Sequence, residues 1–102
     1  VAEVRKAHEK FYPGGLSVKL GVEIGWWDGC AESVQKLIEY YSFDHVLCGV
    51  HEIDNRQFCS PDFGERFKDY TVEQLVEKYF RQIVDAARTG LFDAIAHLGY
   101  YV

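Results

Sequence analysis

Apolar, β-branched runs alternate with amphipathic helical stretches along this chain, and that alternation restricts the fold more than any other feature. Residues 17–24 (SVKLGVEI) and 45–50 (HVLCGV) read as buried strands, and residues 91–97 (LFDAIAH) as a third. Between the first two, Val34, Leu37, Ile38 and Tyr41 recur at i, i+3, i+4 and i+7. That spacing predicts a helix over 30–41, with Asp28 as its cap. Between the second and third, Val72, Leu75, Val76, Tyr79, Phe80, Ile83, Val84 and Ala87 form a wide apolar stripe. Thr71 and Gln74 form a capping-box pattern before it, and Gly90 stands at the C′ position after it. Residues 1–11, with Val4, His8 and Phe11 on one face, read as the end of a further helix, stopped at Tyr12-Pro13-Gly14-Gly15. Residues 52–70 read as a polar loop, longer than most strand–helix connections and of the kind that often carries function.

Strand, helix, strand, helix, strand implies right-handed βαβ units and a parallel sheet, hence an α/β fold. An open doubly wound sheet and a piece of a barrel both satisfy the pattern. Three strands cannot close a barrel, and a complete one takes roughly 250 residues. The chain has 102 residues and no Met, and its last strand-like segment runs to its end. These features lead us to expect a piece of a longer protein.

The formal net charge is -5, with no dense run of Lys or Arg, which argues against a nucleic-acid partner. No apolar stretch approaches the roughly 20 residues of a membrane span. The opening VAEVRKAHEK is charged and unlike a signal peptide. Cys30, Cys48 and Cys59 are odd in number and lack close CxxC spacing, so reduced thiols in a cytoplasmic protein are expected rather than disulfides or a cysteine zinc site.

In parallel α/β folds the active site lies at the C-terminal ends of the strands. The predicted strands end Val22-Glu23-Ile24-Gly25, Gly49-Val50-His51-Glu52 and Ala96-His97-Leu98. Glu23, His51 and His97 therefore belong near one edge of the sheet. A carboxylate and two imidazoles are ligands for zinc, manganese or iron. The plainer readings are an ion pair for Glu23 and simple hydrogen bonding for each histidine. A charged side chain inside an apolar strand is seldom buried without a partner, and the matched strand-end histidines favour the ligand reading. His8, on a helix, and His45, at a strand entrance, are expected to be structural. Trp26, with Trp27, is a candidate to line a substrate pocket, against packing beneath the loop. Arg56 is a candidate phosphate contact, against a solvated loop arginine. Glu52 and Asp54, which follow His51, are candidate acceptors for imidazole N–H groups, and Glu52 also a substrate contact.

GVEIG at 21–25, FDHVLCGVHEID at 43–54 and GLFDAIAHLGYYV at 90–102 resemble successive blocks of the PHP family (polymerase and histidinol phosphatase domains), in particular its histidinol-phosphatase branch. The likeness covers nearly the whole chain, and the order of the blocks is more specific than any one of them. The resemblance implies a distorted (β/α)7 barrel, TIM-like, with residues 1–102 as the central portion of one domain. It implies two or three divalent ions, with Glu23 as the bridging glutamate and His51 and His97 as histidine ligands. The family's other ligands, an HxH pair, a further His and a DxH pair, would then lie before residue 1 and after residue 102. The implied reaction is hydrolysis of L-histidinol phosphate to L-histidinol and phosphate, in histidine biosynthesis. Such a piece is expected to be inactive alone and to associate through its open strand edges. Gly99 departs from the branch, which commonly has an acidic residue there. The alternative is a noncatalytic PHP-like module kept for structure or assembly.

Overall fold

The sheet that carries the candidate residues is parallel, with the strands at 21–25, 45–49 and 94–95 side by side in that order. The computed structural model describes residues 1–58 and 60–99; Cys59 and positions 100–102, which end the GLFDAIAHLGYYV block, lie outside the described residues. Along the chain come α1 (Ala2–Phe11), a 3-10 turn (Tyr12–Gly14), β1 (Gly21–Gly25), α2 (Ala31–Tyr41) and β2 (His45–Gly49). They are followed by β3 (Glu52–Ile53), β4 (Arg56–Gln57), α3 (Phe63–Arg66), α4 (Val72–Arg88) and β5 (Ala94–Ile95). α2 connects β1 to β2, and α4 lies on the path from β2 to β5, which gives the mixed α/β arrangement expected of successive βαβ units.

Register and alternation divide the sheet into two faces. Glu23 is level with Leu47, and Leu47 with Ala94. Their neighbours Ile24, Val46 and Cys48 point the other way, into a core completed by Val34 of α2 and Leu75, Tyr79, Ile83 and Ala86 of α4. Glu23 is thereby left on the face that no helix of this core covers.

The first predicted strand is shorter than its apolar run, because residues 17–20 find other partners. The Leu20 amide donates to Asp44 Oδ2 at 2.7 Å, and the Asp44 amide donates back to the Leu20 carbonyl at 2.8 Å. The Val18 amide donates to His8 Nδ1. The third predicted strand, 91–97, contracts to Ala94–Ile95 for the same kind of reason. The Val46 amide donates to Asp93 Oδ2 and the Asp93 amide to the Val46 carbonyl, each at 2.8 Å. Two Phe-Asp pairs, Phe43-Asp44 and Phe92-Asp93, thus clip a strand entrance to the strand before it.

Helix ends follow the sequence in one case and depart from it in the other. α4 has the full capping box between Thr71 and Gln74, and Gly90 takes a left-handed φ of 68° just past its end. α2 is not capped by Asp28: its N-cap is Cys30, whose Sγ accepts from the Trp27 amide at 3.4 Å.

The stretch 52–70 is neither open nor simply polar. Asp54 and Asn55 both have positive φ, 49° and 62°, which turns β3 into β4 as a tight hairpin. Phe58 and Phe67 are buried against each other and near Tyr79, with ring centroids 5.7 and 5.8 Å from Phe58. Such pairs each contribute about 0.5–1.5 kcal/mol beyond area burial, enough to hold the segment onto α4.

Candidate metal centre

Three side chains from three strand ends converge above the uncovered face. Glu23 comes from within β1, while His51 and His97 each lie two residues past the last residue of β2 and β5. His97 Nε2 is 3.1 Å from Glu23 Oε1 and 3.1 Å from His51 Nε2. One ligand atom from each residue can be chosen so that all lie within 4.8 Å of one another. Glu23 and His97 are exposed and His51 is half-buried, so the cluster opens to solvent.

The backbone on either side is held by α4 and the hairpin. The His51 carbonyl accepts from the Phe58 amide at 2.9 Å, and the Glu52 carbonyl accepts from Gln82 Nε2 at 2.9 Å. Tyr79, one turn before Gln82 on the buried side of α4, donates its hydroxyl hydrogen to the His97 carbonyl at 3.1 Å. Alternation from Ala94 would send position 97 to the core face with Ile95. His97 instead has φ 34°, outside the range of extended chain, and its ring meets Glu23 and His51.

The donor set suits a divalent cation. A neutral imidazole carries at most one hydrogen at Nε2, and at His97 it would have to be shared between a carboxylate oxygen and a second ring nitrogen. A metal ion would accept a lone pair from each of the three atoms instead. Ligands held tetrahedrally about 2.0–2.1 Å from zinc lie roughly 3.3 Å apart, close to the two separations observed here. Cys48 faces the core side of β2. Burial first, then Cys30 and Glu23, push its thiol up to about 11, so it stays protonated near neutral pH.

Across 98 residues the chain is 33% identical to a protein of Deinococcus radiodurans named "Probable histidinol-phosphatase". The alignment takes in 96% of this chain and 37% of that relative. The chain spans little more than a third of the curated relative it matches. No protein-family model matches the chain.

The remaining candidates fall in different places. Trp26 is buried, packed edge-on to Phe92 with centroids 5.9 Å apart, and its indole Nε1 finds no partner among the described residues. Trp26 and Glu52 also flank a cavity of about 170 Å³ that reaches His51. Arg56 is not a solvated loop arginine. Its guanidinium makes a two-pronged contact with Asp69 at 2.6 and 3.1 Å, donates to the Arg66 carbonyl and stacks over Tyr70. That engagement holds the Asp69 carboxyl below the usual range, and Arg56 is part of the loop's own scaffold. Asp54 accepts from the Tyr70 hydroxyl and pairs with Lys78, and neither contact involves an imidazole. His45 lies at the opposite rim, 3.8 Å from Asp93, and His8 accepts from Val18, as structural histidines do. A larger cavity, about 290 Å³, lies between α1 and the approach to β1 and contains none of the three converging residues.

Sequence reasoning missed the residues that position the histidines. Tyr79 reads only as part of an apolar stripe, and Gln82 interrupts it; a glutamine on the buried side of a helix was the available signal. No helix among the described residues is long and apolar enough to cross a membrane.

Proposed function

We propose that the chain is the central portion of a PHP-type barrel whose intact protein is a metal-dependent phosphoesterase, acting on L-histidinol phosphate. The convergence of Glu23, His51 and His97 carries this reading, and the likeness to a protein named as a probable histidinol-phosphatase supports it. A barrel would supply further ligands from strands beside β1 and β5, whose outer edges have no partner strand among the described residues.

A divalent ion of zinc, manganese or iron, one of two or three in the intact enzyme, supplies Lewis acidity toward phosphate oxygens and acidifies water. Glu23 would contribute the negative charge that holds such an ion. His51 and His97 contribute neutral ring nitrogens, oriented through their held backbone. Trp26 and Glu52 flank the cavity beside His51, where the organic part of a small phosphorylated substrate would lie. Arg56, engaged by Asp69, serves the loop's scaffold in this reading rather than phosphate binding. The protein works in the cytoplasm, without nucleic acid or membrane as partner, and the open sheet edges associate with other strands, in this piece as a homo-oligomer.

Metal analysis of the full-length protein, combined with release of phosphate from L-histidinol phosphate, tests the proposal. Stoichiometric metal and metal-dependent turnover are expected, with little turnover by residues 1–102 alone. A metal-free, inactive full-length protein would favour the noncatalytic module instead.

A further inference from the structure

We infer that Gly49 is a positioning residue of the metal centre: its missing side chain is the space in which the ends of Glu23 and His51 meet. The inference rests on the metal reading above. A Cβ added at Gly49 would stand 2.7 Å from His51 Cε1, 3.0 Å from His51 Nε2 and 2.9 Å from Glu23 Oε1. Non-bonded carbon atoms prefer about 3.5–4.0 Å, so a methyl group and the ligand atoms cannot occupy this space together.

The three atoms are all far ends of side chains, and none is backbone. A methyl group at Gly49 therefore pushes the two ligands aside and leaves the sheet intact. Nor does the backbone require glycine here. Gly49 is not among the residues with positive φ, it pairs with Gly25 in register, and its carbonyl accepts from the Trp26 amide at 2.8 Å. Glycine inside a strand costs stability for want of a side chain to pack. What calls for glycine at this position is the room that the ligands need. Gly25, level with it on β1, provides the contrast. A Cβ there would meet His51 Nδ1 at 3.6 Å, an ordinary contact.

The test is cobalt(II) titration of the metal-stripped full-length protein and of its Gly49→Ala and Gly25→Ala variants, by calorimetry and by the visible absorption of the bound ion. Gly49→Ala is expected to weaken cobalt binding about 10- to 100-fold and to change the spectrum, with far-ultraviolet circular dichroism unchanged. Gly25→Ala is expected to bind as the parent does. Equal affinity and spectrum in Gly49→Ala would overturn the inference and leave the metal reading standing. Failure of the full-length parent protein to bind cobalt would overturn the metal reading, and this inference with it. A metal-free measurement covers a variant that folds poorly. The drop in unfolding midpoint caused by Gly49→Ala shrinks in a Glu23→Ala, His51→Ala background if those side chains are what the methyl group strikes. The same drop in both backgrounds would overturn the inference.

Discussion

The two rims of the three-stranded sheet use polar side chains in opposite ways. At the strand entrances, Asp44 and Asp93 accept from the backbone amides of Leu20, just before β1, and Val46, in β2, and their own amides complete each pair. At the strand exits, Glu23, His51 and His97 meet one another through side-chain atoms. A carboxylate held by the backbone is part of the fold. A carboxylate and two rings that share a small space can exchange that arrangement for a ligand. The same residue chemistry thus serves stability at one rim and binding at the other.

The largest effect expected from this contrast is at the exit rim. Glu23→Gln in the full-length protein should abolish metal-dependent turnover while the unfolding midpoint changes little; unaltered rate and metal content would remove Glu23 from the centre. Asp93→Ala should do the reverse. It leaves the buried Val46 amide without its acceptor and should cost about 1–3 kcal/mol in denaturant unfolding, with metal affinity retained. Loss of metal binding without loss of stability in Asp93→Ala would erase the distinction between the rims. Tyr79→Phe keeps the packed ring and removes the hydrogen bond to the His97 carbonyl. A cost of about 1 kcal/mol is expected, accompanied by weaker cobalt binding. Were its binding unchanged, the hold of α4 on His97 would matter to the fold alone.

The smallest effect concerns acid. The Tyr70 hydroxyl, then Lys78, keep the Asp54 carboxyl below its usual value. A depressed carboxylate contributes stability that is fully present above its unfolded pKa, about 3.9, and is lost as pH falls through the lower folded value. Asp54→Asn should therefore flatten the fall in unfolding midpoint below about pH 4 and leave the neutral-pH centre untouched. An unchanged acid slope would show that this exposed pair contributes nothing measurable.

Periodicity made the parallel α/β order and α4 legible, because an apolar stripe and a capping box are local signals. The strand ends also directed attention to Glu23, His51 and His97. The lengths of β1 and β5 were not legible, because Asp44 and Asp93 take over backbone pairing across 24 and 47 positions of sequence. The hairpin was missed because Asp54-Asn55 joins strands of only two residues, too short for an alternation to be seen. The turn of the His97 backbone and the space above Gly49 depend on three-dimensional approach and leave no periodic trace.

Among the described residues, each Phe-Asp clip joins a strand entrance to the strand before it and not to the one after. The sheet is therefore stitched in one direction, like a seam sewn as the chain advances. Unpicking the Asp93 stitch would free β5 at its entrance and leave the seam between β1 and β2 closed.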